Sequence, residues 1–201
     1  MVGPSYSLHS LGTMTVMKPA VVVVDMLNAY QHADAETLTR SVETVVEPIS
    51  GLVERAQREG VEVIYVNDNY GDWNSSQEEL AQRALGGARP DLVEPVLPPD
   101  DADFVIKARH TIFYMTPLEY LLGQKEIDHL VLVGQVTEQC ILYSALDAYV
   151  RHLQVTVPPD AVAHIREDLA DAALEMMEAN MDAQLVPSGD VELKESSWTR
   201  S

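Results

Sequence analysis

The sequence predicts an α/β fold in which a six-stranded, mostly parallel, doubly wound sheet carries helices on both faces, giving three layers. Two observations predict this architecture. Short apolar runs rich in branched side chains, typical of strands buried on both faces, alternate with amphipathic helical segments at short intervals. The 201 residues also show no internal repeat and no change of composition that would indicate a second domain.

The composition restricts the partners and the location that we expect. The chain has 13 Lys and Arg residues against 32 Asp and Glu residues, and its formal net charge is −19. This charge repels phosphate backbones and anionic membranes, so we expect neither a nucleic acid nor a membrane as a partner. The single cysteine excludes an intramolecular disulfide, and the first residues do not resemble a signal peptide, so we expect a cytoplasmic protein.

Both ends of the chain are expected to lie outside the folded domain. Residues 1–15 are polar and without period, which predicts an N-terminal extension that is loose or lies over a neighbouring subunit. The domain is predicted over residues 16–187. Residues 188–201 predict a polar, frayed tail in which Trp198 offers an anchor to another chain.

The first quarter of the domain predicts a buried strand and then two helices. Val16 to Val24 forms a strand with no polar face, and it ends in Asp25. After a loop, helical sequence runs from about Asp34 toward Val46. A second helix is predicted with Pro48 in its first turn and Gly60 at its end.

A turn-rich loop follows the second predicted strand, residues 61–66, at the same sheet edge as Asp25. The side chains of Asn67, Asn69 and Trp73 in this loop can line a pocket with amide donors and a flat indole wall. The alternative is a turn whose aromatic residues only cover the core.

The middle of the chain predicts a helix from Ser75 to Leu85, a proline-rich connection and then a third strand, Phe104 to Ile106. This strand ends in Lys107, although a lysine at a strand end is ordinarily a surface residue. Thr116-Pro117-Leu118-Glu119 then predicts a capping box at the start of a helix that Gly123 ends.

The last third predicts three more strands, which are His129 to Val133, Leu153 to Val157 and Ala183 to Val186. A helix is predicted before the last of them. Its expected buried positions are spaced three and four residues apart and are Leu169, Ala172, Ala173, Met176 and Met177.

The stretch Gly134 to Cys140 holds the only cysteine and joins the fourth predicted strand to a helix. If Thr137 is the N-cap, Cys140 lies in the first helical turn, where free N–H groups and the helix dipole favour a thiolate. The alternative is a small buried apolar residue without a chemical role. The apolar face expected for this helix comprises Ile141, Leu142, Ala145, Leu146 and Tyr149.

Three reactive groups, Asp25, Lys107 and Cys140, thus follow three different predicted strands. The carboxyl ends of parallel strands form one edge, where ligands bind in open α/β sheets. A carboxylate within reach of a thiol can take its proton and later give it to a leaving amine. An ammonium between them stabilises the thiolate and holds the acid ionised.

The chain resembles the isochorismatase-like cysteine hydrolases, a family that includes nicotinamidases and carbamoylsarcosine amidohydrolases. The resemblance extends from about Ala20 to Leu185 and rests on the stretches VVVVDMLNAY, FVIKARHTIFYMTPLEYLL and GQVTEQC. It implies that Asp25 is the proton shuttle, Lys107 the electrostatic partner, and Cys140 the nucleophile that forms a thioester.

The resemblance also implies how the backbone before the cysteine contributes. A non-proline cis peptide bond is expected between Gln135 and Val136. The backbone N–H groups of Val136 and Cys140 are then expected to form the oxyanion hole, and the family implies a homo-oligomer, either a dimer or a tetramer.

Two departures from family patterns narrow the expected activity. Nicotinamidases carry an aspartate and histidines as a metal site after the second strand, whereas this chain has Asn67, Asp68 and Asn69 there, and His110 belongs to another loop. We therefore expect no metal and no cofactor. Isochorismate-cleaving members hydrolyse a vinyl ether without a cysteine nucleophile, so Cys140 favours a C–N bond.

The prediction is therefore a metal-independent amidase or related C–N hydrolase acting on a small molecule. The alternatives are a vinyl ether hydrolase of the isochorismatase type and a non-catalytic binding protein on the same scaffold. The residues predicted to contact the substrate are Asn67, Asn69, Trp73 and Tyr114.

Overall fold

The structure, a computed structural model, describes residues 15–194 and 196–198. The strands in these residues are β1 (Thr15–Met17), β2 (Pro19–Val24), β3 (Glu62–Asp68), β4 (Asp103–Lys107), β5 (His129–Gln135), β6 (Gln154–Thr156), β7 (Val162–Ala163) and β8 (Ser196–Trp198). The α-helices are α1 (Ala35–Glu59), α2 (Gln77–Leu85), α3 (Leu118–Gln124), α4 (Leu142–Val150) and α5 (Glu167–Met181). None of the helices described here is long and apolar enough to cross a membrane.

A six-stranded sheet forms the middle layer, with the strand order β4-β3-β2-β5-β6 and with β7 also paired to β5. All of its strand pairs are parallel. The pairing of β2 with β5 runs from Pro19 opposite His129 to Val24 opposite Gly134. The carboxyl ends of these strands therefore meet at one edge of the sheet.

Side chains of β2 alternate between two hydrophobic clusters, one on each face of the sheet. Val21 and Val23 belong to the cluster that contains the buried faces of α1 and α2. Ala20, Val22 and Val24 belong to the cluster that contains the buried faces of α3, α4 and α5. The predicted three-layer α/β fold with helices on both faces is thereby confirmed.

The two helices predicted before the second strand form one continuous helix, α1, with Pro48 inside it. Val45 and Ile49 are buried on either side of the proline, and the buried face continues to Ala56. Burial of this long face offsets the hydrogen bond that a proline cannot donate. As predicted, Gly60 ends the helix, and it does so in the left-handed conformation, with φ 72°.

The capping box predicted before α3 does not form. The Thr116 hydroxyl donates a hydrogen bond of 2.6 Å to the Ile112 carbonyl, and Pro117 takes the N-cap position. The helix also continues past Gly123 to Gln124. The prediction was wrong because the preceding turn offers Thr116 a competing carbonyl, which is not apparent from the motif alone.

The sixth strand of the sheet is β7 and not the predicted Ala183 to Val186, in which Gln184 makes only an isolated bridge to Thr156. A two-residue strand is too short to show a hydrophobic period, so the sequence does not indicate it. Because β7 pairs with Gly134 and Gln135, it extends the sheet beside the cysteine turn.

The buried faces of the last two helices differ from those predicted, since small side chains occupy many of the core positions. The predicted core residues that are instead exposed are Leu146 and Tyr149 in α4 and Leu169, Ala172 and Met176 in α5. The residues that take their place are Ser144 and Ala148 in α4 and Ala170 and Met181 in α5. Side-chain size at the helix contact, which hydrophobic periodicity does not record, decided the orientation.

The chain ends are described only in part. Residues 1–14 of the predicted N-terminal extension lie outside the described residues, whereas Thr15 begins β1, which pairs antiparallel with β8 in a separate two-stranded sheet. Trp198 lies opposite Thr15 in this pair. The anchoring role predicted for the Trp198 side chain falls outside the described side chains.

The predicted tail packs against the domain through its first residues and is not frayed there. The Ser188 hydroxyl donates a hydrogen bond of 2.6 Å to the Asp160 carboxylate. The Arg55 guanidinium in α1 donates to the Ser188 and Val191 carbonyls. Val191 and Leu193 are buried in the cluster that contains α1.

Candidate active site

Asp25, Lys107 and Cys140 lie together at the carboxyl edge of the sheet. Lys107 Nζ is 2.7 Å from Asp25 Oδ2 and 3.5 Å from Cys140 Sγ. Asp25 follows β2, Lys107 ends β4, and Cys140 lies in the turn between β5 and α4. All three residues are buried, with exposed fractions of 6%, 1% and 8% respectively.

The backbone around Asp25 fixes its carboxylate. The residue has a left-handed conformation, with φ 57°, and its N–H group donates to the Val66 carbonyl at 2.9 Å. The Asp68 N–H group donates to Asp25 Oδ1 at 2.7 Å, and the Gln135 amide donates to the Asp25 carbonyl. One carboxylate oxygen is thus held by the backbone of β3, which leaves the other for Lys107.

Lys107 is a buried cation that two acids compensate, because its Nζ also lies 3.5 Å from Asp68 Oδ2. Burial by itself would lower the pKa of Lys107. The negative charges of Asp25 and Asp68, and that of Cys140 when it is ionised, outweigh burial, so the pKa is raised and the ammonium stays protonated. Asp68 lies directly opposite Lys107 in the pairing of β3 with β4.

The helix start at the cysteine differs from the prediction. Val136, not Thr137, is the N-cap, and the Thr137 hydroxyl donates a hydrogen bond of 3.0 Å to the Ala163 carbonyl of β7. Cys140 lies in a π-helical turn, Thr137–Ile141, that precedes α4. Strand β7, which was not predicted, supplies the carbonyl that accepts this hydrogen bond. The Thr137 hydroxyl is therefore not used to cap the helix.

The pKa of the Cys140 thiol is raised, contrary to the expectation of an easily ionised sulfur. Burial is the main cause, and the charge of Asp25 adds to it, while Lys107 only partly offsets them. Burial also raises the pKa of Asp25, against the opposing charge of Lys107. The neutral thiol is therefore favoured in the resting protein, and the Asp25 carboxylate, which pairs with Lys107 at 2.7 Å, is the neighbouring group that can accept its proton.

The backbone between β5 and the cysteine turn has an unusual conformation. The peptide bond between Gln135 and Val136 is cis, and Gly134 has φ 118°. A Cβ atom on Gly134 would lie 2.1 Å from the Val24 carbonyl oxygen, so only glycine fits there. The oxyanion hole of the Val136 and Cys140 N–H groups stays a prediction.

The Asn67 side chain makes hydrogen bonds within the protein, and its predicted contact with a substrate stays a prediction. Its Oδ1 accepts the Leu27 N–H at 2.9 Å, and its Nδ2 donates to the Leu27 carbonyl at 3.3 Å and the Asp68 carbonyl at 3.1 Å. Asn67 therefore joins the loop after β2 to the end of β3. Asn69 is also buried, and its Oδ1 accepts the Gly71 N–H at 2.9 Å.

The aromatic residues near the site differ in how far they are exposed to solvent. Trp73 and Tyr114 are exposed, by 81% and 58%, and their contact with a substrate stays a prediction. Tyr70, which was not among the predicted contacts, is 43% exposed as a whole residue, but its hydroxyl is close to the Asn67 side chain and to the Asp25 charge. Burial of its hydroxyl and the Asp25 charge raise the pKa of Tyr70.

Two further residues at the site were missed from the sequence. Asp68 contacts Lys107, as described above, and His110 Nδ1 lies 3.7 Å from Cys140 Sγ. His110 follows Lys107 by three residues, at the same sheet edge. This spacing could have indicated from the sequence that His110 lies near the site. From the sequence, His110 was assigned only to another loop, away from the position of the metal site in nicotinamidases.

The charge of this cluster does not suit a metal ion. Asp25, Asp68 and Cys140 surround the Lys107 ammonium, and that positive charge disfavours a second cation among the same groups. Across residues 15–194 and 196–198, no group of three or more His, Cys, Asp or Glu side chains is arranged to hold a metal ion.

Comparison with known proteins places the chain in a family. A family model described as Isochorismatase domain matches residues 19–187. The isochorismatase family protein YaaI of Bacillus subtilis is 32% identical over 172 residues, which cover 86% of this chain and 95% of YaaI. Maleamate amidohydrolase of Pseudomonas putida is 27% identical over 172 residues, covering 82% of this chain and 78% of that protein.

The fold agrees with these sequence matches. The crystal structure of N-carbamoylsarcosine amidase from Thermoplasma acidophilum matches with a TM-score of 0.67 and 29% sequence identity, covering 88% of this chain and 99% of that chain. The family model spans most of the chain, and the similarity to YaaI extends over nearly all of YaaI. This chain therefore belongs to the isochorismatase family.

Proposed function

We propose that this protein is a cysteine-dependent hydrolase that cleaves an amide or other C–N bond of a small molecule through a thioester. The observation that carries the proposal is the buried cluster in which Lys107 Nζ lies 2.7 Å from Asp25 Oδ2 and 3.5 Å from Cys140 Sγ. Two similar proteins, maleamate amidohydrolase and N-carbamoylsarcosine amidase, are named for this class of reaction.

Acylation begins with transfer of the thiol proton from Cys140 to Asp25 as the sulfur attacks the carbonyl carbon. A C–S bond forms, and the carbonyl oxygen becomes an oxyanion. Burial raises the pKa of Asp25, which makes its carboxylate a stronger base. Lys107 stabilises the ionised acid before the transfer and the sulfur anion after it.

Collapse of the tetrahedral intermediate completes acylation. Asp25 gives its proton to the leaving nitrogen, the C–N bond breaks, and an amine or ammonia departs from the thioester. We assign stabilisation of the oxyanion to the backbone N–H groups of Val136 and Cys140. Val136 directly precedes the turn that carries the sulfur, and Cys140 lies within that turn.

Deacylation repeats the proton transfers with water. Asp25 takes a proton from the water molecule that attacks the thioester carbon, the C–S bond breaks, and the sulfur recovers the proton from Asp25. The products are a carboxylic or carbamic acid and the amine already released. Neither step requires a metal ion or an organic cofactor.

A panel of primary, cyclic and carbamoyl amides tests this proposal, with released ammonia or amine as the readout and mass spectrometry to detect an acyl group on Cys140. We expect turnover and a trapped adduct, both abolished in Cys140→Ala. Vinyl ether hydrolysis that persists in Cys140→Ala would replace the proposal with the isochorismatase reaction. Binding without turnover or adduct would indicate a binding protein. The homo-oligomer and the cytoplasmic location stay predictions.

A further inference from the structure

His110 is a second side chain with a nitrogen atom close to the Cys140 sulfur. Its Nδ1 lies 3.7 Å from Sγ, against 3.5 Å for Lys107 Nζ. These distances are within the range for hydrogen bonds to sulfur. The proposed acylation and deacylation steps assign no role to His110.

Lys107 is shared among several acceptors and does not serve the sulfur alone. An ammonium has three N–H groups. Lys107 Nζ contacts Asp25 Oδ2 at 2.7 Å and Asp68 Oδ2 at 3.5 Å in addition to the sulfur, and the contact with Asp25 is the shortest. A sulfur anion that forms in this buried cluster therefore gains from a second donor.

The surroundings of His110 hold its ring beside the sulfur. The ring packs against that of Tyr143 with centroids 5.5 Å apart and planes tilted by 48°. Tyr143 follows Cys140 by three residues, so one helical turn carries both the sulfur and the ring that supports the imidazole. The His110 side chain is itself exposed, unlike the three buried members of the cluster.

We propose that His110 is a further catalytic residue whose Nδ1–H group donates a hydrogen bond to the Cys140 sulfur whenever that sulfur is an anion. The sulfur is an anion when its proton has moved to Asp25 and again when the thioester C–S bond breaks. The inference therefore rests on the proposed function. His110 gains and loses no proton: the thiol proton goes to Asp25, and Nδ1 keeps its own.

Two substitutions separate the hydrogen bond from the bulk of the ring. His110→Leu has a similar size but no donor, whereas His110→Asn can place an amide N–H near the position of Nδ1, because both nitrogens are attached to Cγ. His152→Asn is the matched control, since His152 follows α4 at the opposite end from Cys140. Thermal unfolding of each variant verifies that the chain is folded, which the exposure of His110 favours.

The readout is the rate of alkylation of Cys140, the only cysteine of the chain, by iodoacetamide. A hydrogen bond to an ion changes an equilibrium about ten- to hundredfold. Part of that effect is offset because a more basic thiolate is more nucleophilic, so we expect His110→Leu to react about three- to tenfold more slowly. His110→Asn and His152→Asn are expected to react at close to the wild-type rate.

Wild-type reactivity of His110→Leu, or a rate for His110→Asn as low as that of His110→Leu, would overturn the inference. The measurement needs no substrate, so its result is independent of the amide panel. Once a substrate is identified, His110→Leu should lower kcat and leave KM nearly unchanged, because the hydrogen bond acts on the sulfur anion and not on the bound ground state. Absence of amide turnover by the wild type would instead count against the proposed function.

Discussion

Lys107 Nζ and Asp25 Oδ2 are 2.7 Å apart, in an ion pair whose lysine side chain is fully buried and whose aspartate side chain is nearly so. The sulfur of Cys140 lies farther from the same ammonium, at 3.5 Å. In the resting protein the lysine therefore compensates the acid first and the sulfur second. A buried charge without its partner is strongly destabilising, so the pair has consequences for stability as well as for chemistry.

The substitution Lys107→Met removes the ammonium. It should lower the stability of the protein and abolish its activity. The substitution leaves Asp25 buried without its partner, and we expect the free energy of unfolding to fall by about 3 kcal/mol. Urea denaturation measures this loss. The double variant Asp25→Asn with Lys107→Met should recover part of the stability because it removes both charges. Equal stability of Lys107→Met and the wild type would contradict the arrangement.

Alkylation of the sole cysteine should respond in opposite directions to the two charged neighbours. The charge of Asp25 raises the pKa of Cys140 and that of Lys107 lowers it. At a fixed neutral pH, Asp25→Asn should therefore increase the thiolate fraction, and Lys107→Met should decrease it. Iodoacetamide rates measured across a pH series test both signs. Unchanged rates in both variants would show that burial alone governs the sulfur, and a shift of both in the same direction would contradict the opposite effects of the two charges.

Acid should destabilise the protein through His129, which is buried in β5 beside Thr156, with its Nε2 2.8 Å from the Thr156 hydroxyl. Burial lowers the pKa of His129 from 6.5 to about 4. Between these values the unfolded chain binds a proton that the folded chain does not. The free energy of unfolding therefore falls as the pH drops from 6.5 toward about 4.

The substitution His129→Gln isolates this effect because glutamine does not titrate. The difference in free energy of unfolding between wild type and variant should change by about 1.4 kcal/mol for each unit of pKa difference that the pH series crosses. Urea denaturation near pH 7 and near pH 5 provides the comparison. Parallel loss of stability in both proteins would assign the acid sensitivity to other groups.

Asn67→Ala should destabilise the protein, since it removes the hydrogen bonds that join Leu27 to β3. A buried donor or acceptor left without a partner costs about 1–3 kcal/mol, and we expect a loss in that range in urea denaturation. Asn74→Ala is the control, because Asn74 is exposed in the same connection and its loss should stay within about 0.5 kcal/mol. A raised KM with unchanged stability would instead support the predicted role of Asn67 in substrate binding.

Much of the fold can be read from the sequence because its signals are local. Apolar runs such as Val21 to Val24 show where a buried strand lies, and a charged residue marks the end of two of them, Asp25 after β2 and Lys107 in β4. Features that depend on packing were predicted wrongly. Pro48 is accommodated inside α1, and β7 replaces the expected last strand, because contacts between distant segments outweigh local preference in both cases.

The sequence by itself determined that Asp25, Lys107 and Cys140 each stand at a strand end or in the turn after a strand, since parallel strands bring their carboxyl ends to one edge. Only the tertiary structure decided the electrostatics of the cluster. The raised pKa of Cys140 follows from burial and from a carboxylate more than a hundred residues away in the chain. The contacts of Asp68 and His110 likewise depend on distances across the sheet edge, which residue order does not record.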